Sequence, residues 1–157
     1  MPNKYKHLNE KAVDKEDFVL VESHSTKAED FLLKENFLEK QKSLIHKFGI
    51  FTTIQIPANQ PFYLISPKNI FSTHIPKSIR IATGKFVFDE KIINYVNHSC
   101  NPNSEIGIEQ KRVVLRAKRL IETGEEITID YCENEEKNNL IQCKCKSEKC
   151  RNFFFTT

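Results

Sequence analysis

Backbone specialists are scarce in this chain, with only 4 glycines and 6 prolines among 157 residues. So few allow little backbone that only glycine tolerates, and each glycine inside a motif therefore carries weight. Long hydrophobic runs are missing too. Nothing approaches the roughly 20 apolar residues of a membrane-spanning helix. The opening stretch MPNKYKHLNEKAVDKED has no apolar core of the kind a secretory signal requires. The expected location is intracellular, cytoplasmic or nuclear; later delivery to another cell is compatible with the same features. Neither charge sign dominates: 24 basic and 21 acidic side chains leave a formal +3, too mild to argue for nucleic acid. No internal repeat and no doubly wound pattern is visible.

What is present suffices for one domain with a core of its own and no disulfide staples. The five cysteines, in a reducing compartment, are better explained by metal, chemistry or burial.

Residues 1–17 are polar and aperiodic, and Phe18-Val-Leu-Val21 reads as a first strand. Thr26 and Glu29 have capping-box spacing, with Ala28, Phe31, Leu32 and Leu38 as an apolar stripe, so a helix is predicted over 26–42. From Leu44 the period becomes that of strands. Strands are predicted at 49–57, 62–65, 78–82, 85–88, 112–116 and 126–130, and the fold class is mainly β.

Three segments carry chemistry. Cys143-Lys-Cys145-Lys-Ser-Glu-Lys-Cys150 puts three thiols within eight residues. Tetrahedral zinc takes four thiolate or imidazole ligands, and ligands close in sequence let a short loop wrap the ion. The fourth would be Cys100 or Cys132, against the plainer reading of a chance cluster in a Lys-rich tail. Asn94-Tyr-Val-Asn97-His98-Ser99-Cys100-Asn-Pro102-Asn103 is dense in hydrogen-bonding groups, although an Asn-rich turn would read similarly. Thr123-Gly124-Glu125-Glu126 turns into a strand ending at Asp130-Tyr131, where a tyrosine is usually structural.

In this order the three segments resemble the SET-domain lysine methyltransferases. The family's N-H-S-C-x-P-N stands as Asn97 to Asn103, and its G-E-E-[LI]-T-x-D-Y as Gly124 to Tyr131. The post-SET C-x-C-x4-C-R stands as Cys143, Cys145, Cys150 and Arg151. Phe48-Gly-Ile-Phe51 through Pro57 resembles the opening cofactor segment, and Ser78 to Gly84 the strand before the signature. The resemblance covers about residues 44–155.

It implies a SET-domain (β-clip) fold of small curved sheets with a carboxy-terminal pseudoknot, beside the helix and a zinc-bound tail. The implied organisation is an extension over 1–43, a core over 44–140 and a post-SET tail over 141–157. It implies Tyr131 as the catalytic tyrosine and S-adenosylmethionine bound by Phe48, Gly49, Ile50, Asn97, His98, Tyr131 and Phe153, with Phe154 as the alternative closing ring. It also implies one zinc ion held by Cys100, Cys143, Cys145 and Cys150, which leaves Cys132 as a small core residue.

The implied activity is methyl transfer from S-adenosylmethionine to a protein lysine in a basic, extended segment such as a histone-like or ribosomal tail. A homodimer is compatible with the sequence. Two other readings are a SET-like binding module without catalysis and a small-amine methyltransferase.

The chain departs from the family pattern at several points. Lys47 replaces the first glycine of the opening G-x-G, which predicts a rearranged loop or weaker cofactor binding. Lys146 and Asn152 replace post-SET glycines, Y-x-G-E has no match in Phe62 to Pro67, and Ile129 stands two residues before the tyrosine in place of an aromatic. His7, His24, His46 and His74 have no ligand spacing. Lys111, Arg112, Arg116, Lys118 and Arg119 read as the wet face of a strand, and Glu133, Glu135 and Glu136 as a solvated acidic loop.

Overall fold

The computed structural model describes residues 37–82, 84–109, 112–131 and 139–156. Alternating apolar runs become short strands, as period-2 patterns demand when one face is buried. One sheet has the order β1-β2-β10-β7, from Leu38–Lys42, Phe48–Thr52, Glu126–Ile129 and Asn97–His98. Within it β7 runs parallel to β10, and β2 antiparallel to both β1 and β10. A second sheet joins β3 (Pro61–Leu64), β9 (Arg112–Ala117) and β8 (Ser104–Glu109), in that order. A third joins β4 (Ile70–Phe71), β6 (Lys85–Val87) and β5 (Ile79–Ala82). The tail forms a two-stranded ribbon of β11 (Asn139–Gln142) and β12 (Phe153–Thr156).

Ile50, Phe62, Ile81, Ile106, Leu115, Ile127 and Ile129 come from the three sheets and share one core. Each is fully buried, so the sheets are held by apolar contact between them as well as by ladders within them. Two short 3-10 turns, Pro67–Asn69 and Ile93–Tyr95, connect strands, the second leading directly into β7.

The helix expected over 26–42 lies outside the described residues as far as 36; beyond that it is corrected. Leu38–Lys42 is a strand, paired in register from Leu38↔Thr52 to Lys42↔Phe48. Glu, Lys and Gln are helix formers only by a few tenths of a kcal/mol each. A ladder on β2, with Phe37 and Leu38 buried, outweighs that preference. The strand predicted over 49–57 stops at Thr52. There the Thr52 hydroxyl donates to the Ile54 carbonyl at 2.7 Å and accepts from the Ile54 N–H at 3.2 Å, a local turn that competes with the ladder. Ile56 then bridges to Ile121. The strand expected at 18–21 lies outside the described residues, as do Cys132, Lys111 and the acidic loop.

Candidate cofactor and metal site

β7 brings Asn97 and His98 against β10, with Thr128↔Asn97 and Ile129↔His98 in register. Tyr131 therefore emerges at the same end of the sheet as His98. Its backbone N–H donates to His98 Nδ1 at 3.2 Å, and its hydroxyl donates to the Val96 carbonyl at 2.7 Å. The rings of His98 and Tyr131 lie 5.5 Å apart.

His98 is buried. Desolvation lowers its pKa to about 4 against the opposing pull of Asp130, with Arg151 lowering it further. A neutral imidazole that accepts at Nδ1 carries its proton on Nε2, and Nε2 lies 3.4 Å from Cys100 Sγ. Both ring nitrogens are thus engaged, one with the strand end and one with a sulfur.

Asn97 is buried as well. Its amide nitrogen lies 2.7 Å from Glu126 Oε1, 2.9 Å from the Phe48 carbonyl, 3.1 Å from Ser43 Oγ and 3.4 Å from the His46 carbonyl. Gly49 sits under this cluster. A Cβ there would collide with the Glu126 carboxylate and come within 3.1 Å of the Asn97 amide. Ile50 points into the core, and Phe48 is exposed on the hairpin.

Lys47 holds a left-handed backbone, φ 39°, in the region that favours glycine. Lys146 and Asn152 behave alike, at φ 55° and 66°.

The four cysteine sulfurs of residues 100, 143, 145 and 150 all lie within 4.8 Å of one another, near enough to close on the roughly 3.8 Å edges of a tetrahedron with Zn–S bonds of about 2.3 Å. Backbone N–H groups of Arg151, Cys145 and Asn152 point at Sγ of Cys100, Cys143 and Cys150 at 3.3–3.5 Å, as thiolates would favour. Burial raises the Cys143 thiol. At Cys145 burial is outweighed by hydrogen bonds from the Cys100 backbone and from Ser147, which bring it to about 6. The donor set fits zinc.

The tail is also pinned without metal. Arg151 Nη2 donates to the buried Asp130 carboxylate at 2.6 Å, and Phe154 stacks on His98. Phe154 also meets Tyr131 edge-on at 5.6 Å, whereas Phe153 is 48% exposed. Of the two candidate closing rings, Phe154 is the one brought to His98. Sequence reasoning gave no role to Ser43, Glu126 or Asp130. Glu126 and Asp130 stand inside the G-E-E…D-Y motif, which was the available signal; Ser43 had none.

Residues 47–132 match the family model described as SET domain. A Schizosaccharomyces pombe protein named "Histone-lysine N-methyltransferase, H3 lysine-4 specific" is 32% identical over 161 residues, covering 85% of this chain and 17% of that protein. The human "Histone-lysine N-methyltransferase SETD1B" is 44% identical over 61 residues, covering 36% of this chain and 3% of that protein. Similar relatives are long, and the chain spans 2% to 17% of their length. The crystal structure of KRYPTONITE in complex with mCHG DNA and SAH superposes with TM-score 0.54 at 23% identity, covering 74% of this chain and 28% of that one. That likeness extends to the fold. With the family model spanning more than half of the 157 residues and the signature strands meeting as described, this chain belongs to the SET domain family.

Proposed function

We propose that the protein is an S-adenosylmethionine-dependent methyltransferase acting on the ε-amine of a lysine in a protein substrate. The observation that carries this reading is the convergence of Asn97, His98, Tyr131 and Phe154 at one end of the β7–β10 pair. S-adenosylmethionine, when bound, supplies an electrophilic methyl on a sulfonium. The cofactor-lining set is Phe48, Gly49, Ile50, Asn97, His98 and Tyr131, with Phe154 preferred to Phe153 as the closing ring.

Each side chain has a role in keeping with its contacts. Asn97 offers its amide oxygen as an acceptor, because its two N–H hydrogens are taken up among the four groups that face its nitrogen. The His98–Phe154 stack is a flat apolar wall suited to a nucleobase. Tyr131 commits its hydroxyl hydrogen to the Val96 carbonyl, so it meets an incoming amine with an oxygen that accepts. It orients the amine and is not a general acid. His98 is unsuited to be the base, since both its nitrogens are engaged. Loss of the lysine proton then rests on desolvation in the channel and on repulsion by the sulfonium, both of which depress an amine pKa. Zinc held by Cys100, Cys143, Cys145 and Cys150 would fix the tail, and with it Phe154.

Relatives named histone-lysine methyltransferases, two of them H3 lysine-4 specific, support a histone-type basic tail as substrate and a nuclear location. The test is calorimetric titration of zinc-loaded protein with S-adenosylmethionine, followed by transfer of labelled methyl to histone H3. Wild-type protein is expected to bind and transfer, and Tyr131→Phe to bind but transfer at least about tenfold more slowly. Absence of cofactor binding by the wild type would refute the reading.

A further inference from the structure

Glu126 is half-buried, and its carboxylate contacts two side chains from distant segments. Ser43 Oγ is 2.9 Å from each carboxylate oxygen, and Asn97 Nδ2 is 2.7 Å from Oε1. Ser43 also accepts from the Ile45 and His46 N–H groups at 2.9 and 3.3 Å, so its hydroxyl closes the turn between β1 and β2. The chain thus links turn, carboxylate and amide: Ser43, Glu126, Asn97.

Three of the four groups facing the Asn97 amide nitrogen can only accept: the Glu126 carboxylate and the carbonyls of His46 and Phe48. The flip state of the amide is therefore determined, with nitrogen inward and oxygen presented on the other side. A carboxylate is the strongest of these acceptors, because its hydrogen bonds are charge-assisted. Gly49 supplies the room. A side chain at that position would take the space the carboxylate fills, so the second glycine of the opening segment and Glu126 form one device.

From this geometry we infer that Glu126, steadied by Ser43, is a positioning residue that holds the Asn97 amide in its cofactor-binding orientation. The inference rests on the reading above that Asn97 contacts S-adenosylmethionine. In this role Glu126 acts through Asn97 and not on the cofactor itself. Its loss leaves the Phe48 and His46 carbonyls as weaker holds and lets the amide rotate. The consequence falls on binding and KM, while kcat at saturating cofactor is kept, because Tyr131 is anchored separately on Val96.

The experiment compares zinc-loaded Glu126→Ala, Glu126→Gln, Ser43→Ala and Asn97→Ala in the 157-residue chain by calorimetric titration with S-adenosylmethionine, alongside their melting temperatures. Glu126→Ala is expected to bind about tenfold more weakly, the usual scale for losing a charge-assisted hydrogen bond, and Ser43→Ala about threefold. Glu126→Gln is expected to restore most of the affinity, since its amide oxygen still accepts from Asn97. Ser43→Ala keeps the test readable if Glu126→Ala is too unstable to titrate. Wild-type affinity in both Glu126→Ala and Ser43→Ala, with Asn97→Ala weakened, would overturn the positioning role and leave the parent reading standing. Glu126→Gln as weak as Glu126→Ala would also overturn it, because charge and not orientation would then be what matters. Wild-type affinity in Asn97→Ala would remove both.

Discussion

His98 and Phe154 stack with ring centroids 4.3 Å apart and planes inclined by 29°. One ring comes from the buried strand β7, the other from the tail ribbon, 56 residues later in the chain. The ribbon's contact with the core is thus also a wall of the candidate cofactor site. Phe154→Ala is expected to weaken S-adenosylmethionine binding about tenfold, since an aromatic wall is worth on the order of 1.5 kcal/mol. Phe153→Ala, at an exposed position, is expected to leave affinity within about twofold. Calorimetric titration of both variants decides which phenylalanine closes the site; equal losses would exclude this assignment.

Metal should hold the ribbon in place. All four β11 residues are exposed, and little apolar surface is available to order residues 139–156 without help. Purified protein is expected to contain one zinc ion per chain by atomic absorption, falling toward zero in Cys145→Ser. Chelation is expected to speed tryptic cleavage after Lys144, Lys146 and Lys149 by at least about tenfold while the core strands stay protected. Equal cleavage with and without chelator would show that Arg151–Asp130 and Phe154–His98 suffice.

The legible parts of this molecule were those where chemistry dictates residue type. The sulfur cluster stood out by its spacing, whereas the Asn-His pair and the terminal tyrosine, each open to a plain structural reading, gained meaning only together with it in one order along the chain. Strands β3, β5, β6, β9 and β10 were likewise visible, each carrying its own alternation. β1 was not, because Leu38-Glu-Lys-Gln-Lys has local preferences for helix and only its partner β2 makes it a strand. β7 is two polar residues long, with no period to detect; its burial comes entirely from neighbours. Ser43 escaped for a related reason. A serine acquires meaning only through the carboxylate that reaches it across 83 residues.

Lys47 at φ 39° and Lys146 at φ 55° hold backbone that an L-residue adopts at a cost of about 1–2 kcal/mol. Glycine removes that cost but gives back part of it through a freer unfolded chain. Lys47→Gly is therefore expected to stabilise by about 0.5–1 kcal/mol, and Lys146→Gly to do likewise in the metal-loaded protein. Asn152→Gly, at φ 66°, is expected to be nearly neutral, because asparagine tolerates this region. Thermal melts read the effect as a rise of a few degrees for the two lysine variants. A fall in either would mean that the lysine side chain contributes more than its backbone costs.

Glu125 gives the fold a pH dependence whose direction is fixed. Burial alone would raise its pKa, but hydrogen bonds from Arg119, Asn103 and the Glu122 backbone N–H hold it below the usual carboxylate value of 4.5. A folded-state pKa below the unfolded one means that stability is fully present above 4.5 and is lost as the pH falls through that value toward the folded one. Glu125→Gln keeps one acceptor oxygen, for either Asn103 or the Glu122 N–H, and loses the charge facing Arg119. Because Arg119 is half exposed, solvent screening limits that loss to about 1 kcal/mol. Urea midpoints are therefore expected to separate wild type from Glu125→Gln near neutral pH and to converge as the pH falls below the usual carboxylate value, where the wild-type carboxyl protonates. A gap of constant size across that range would place the effect of Glu125 in packing and not in its charge.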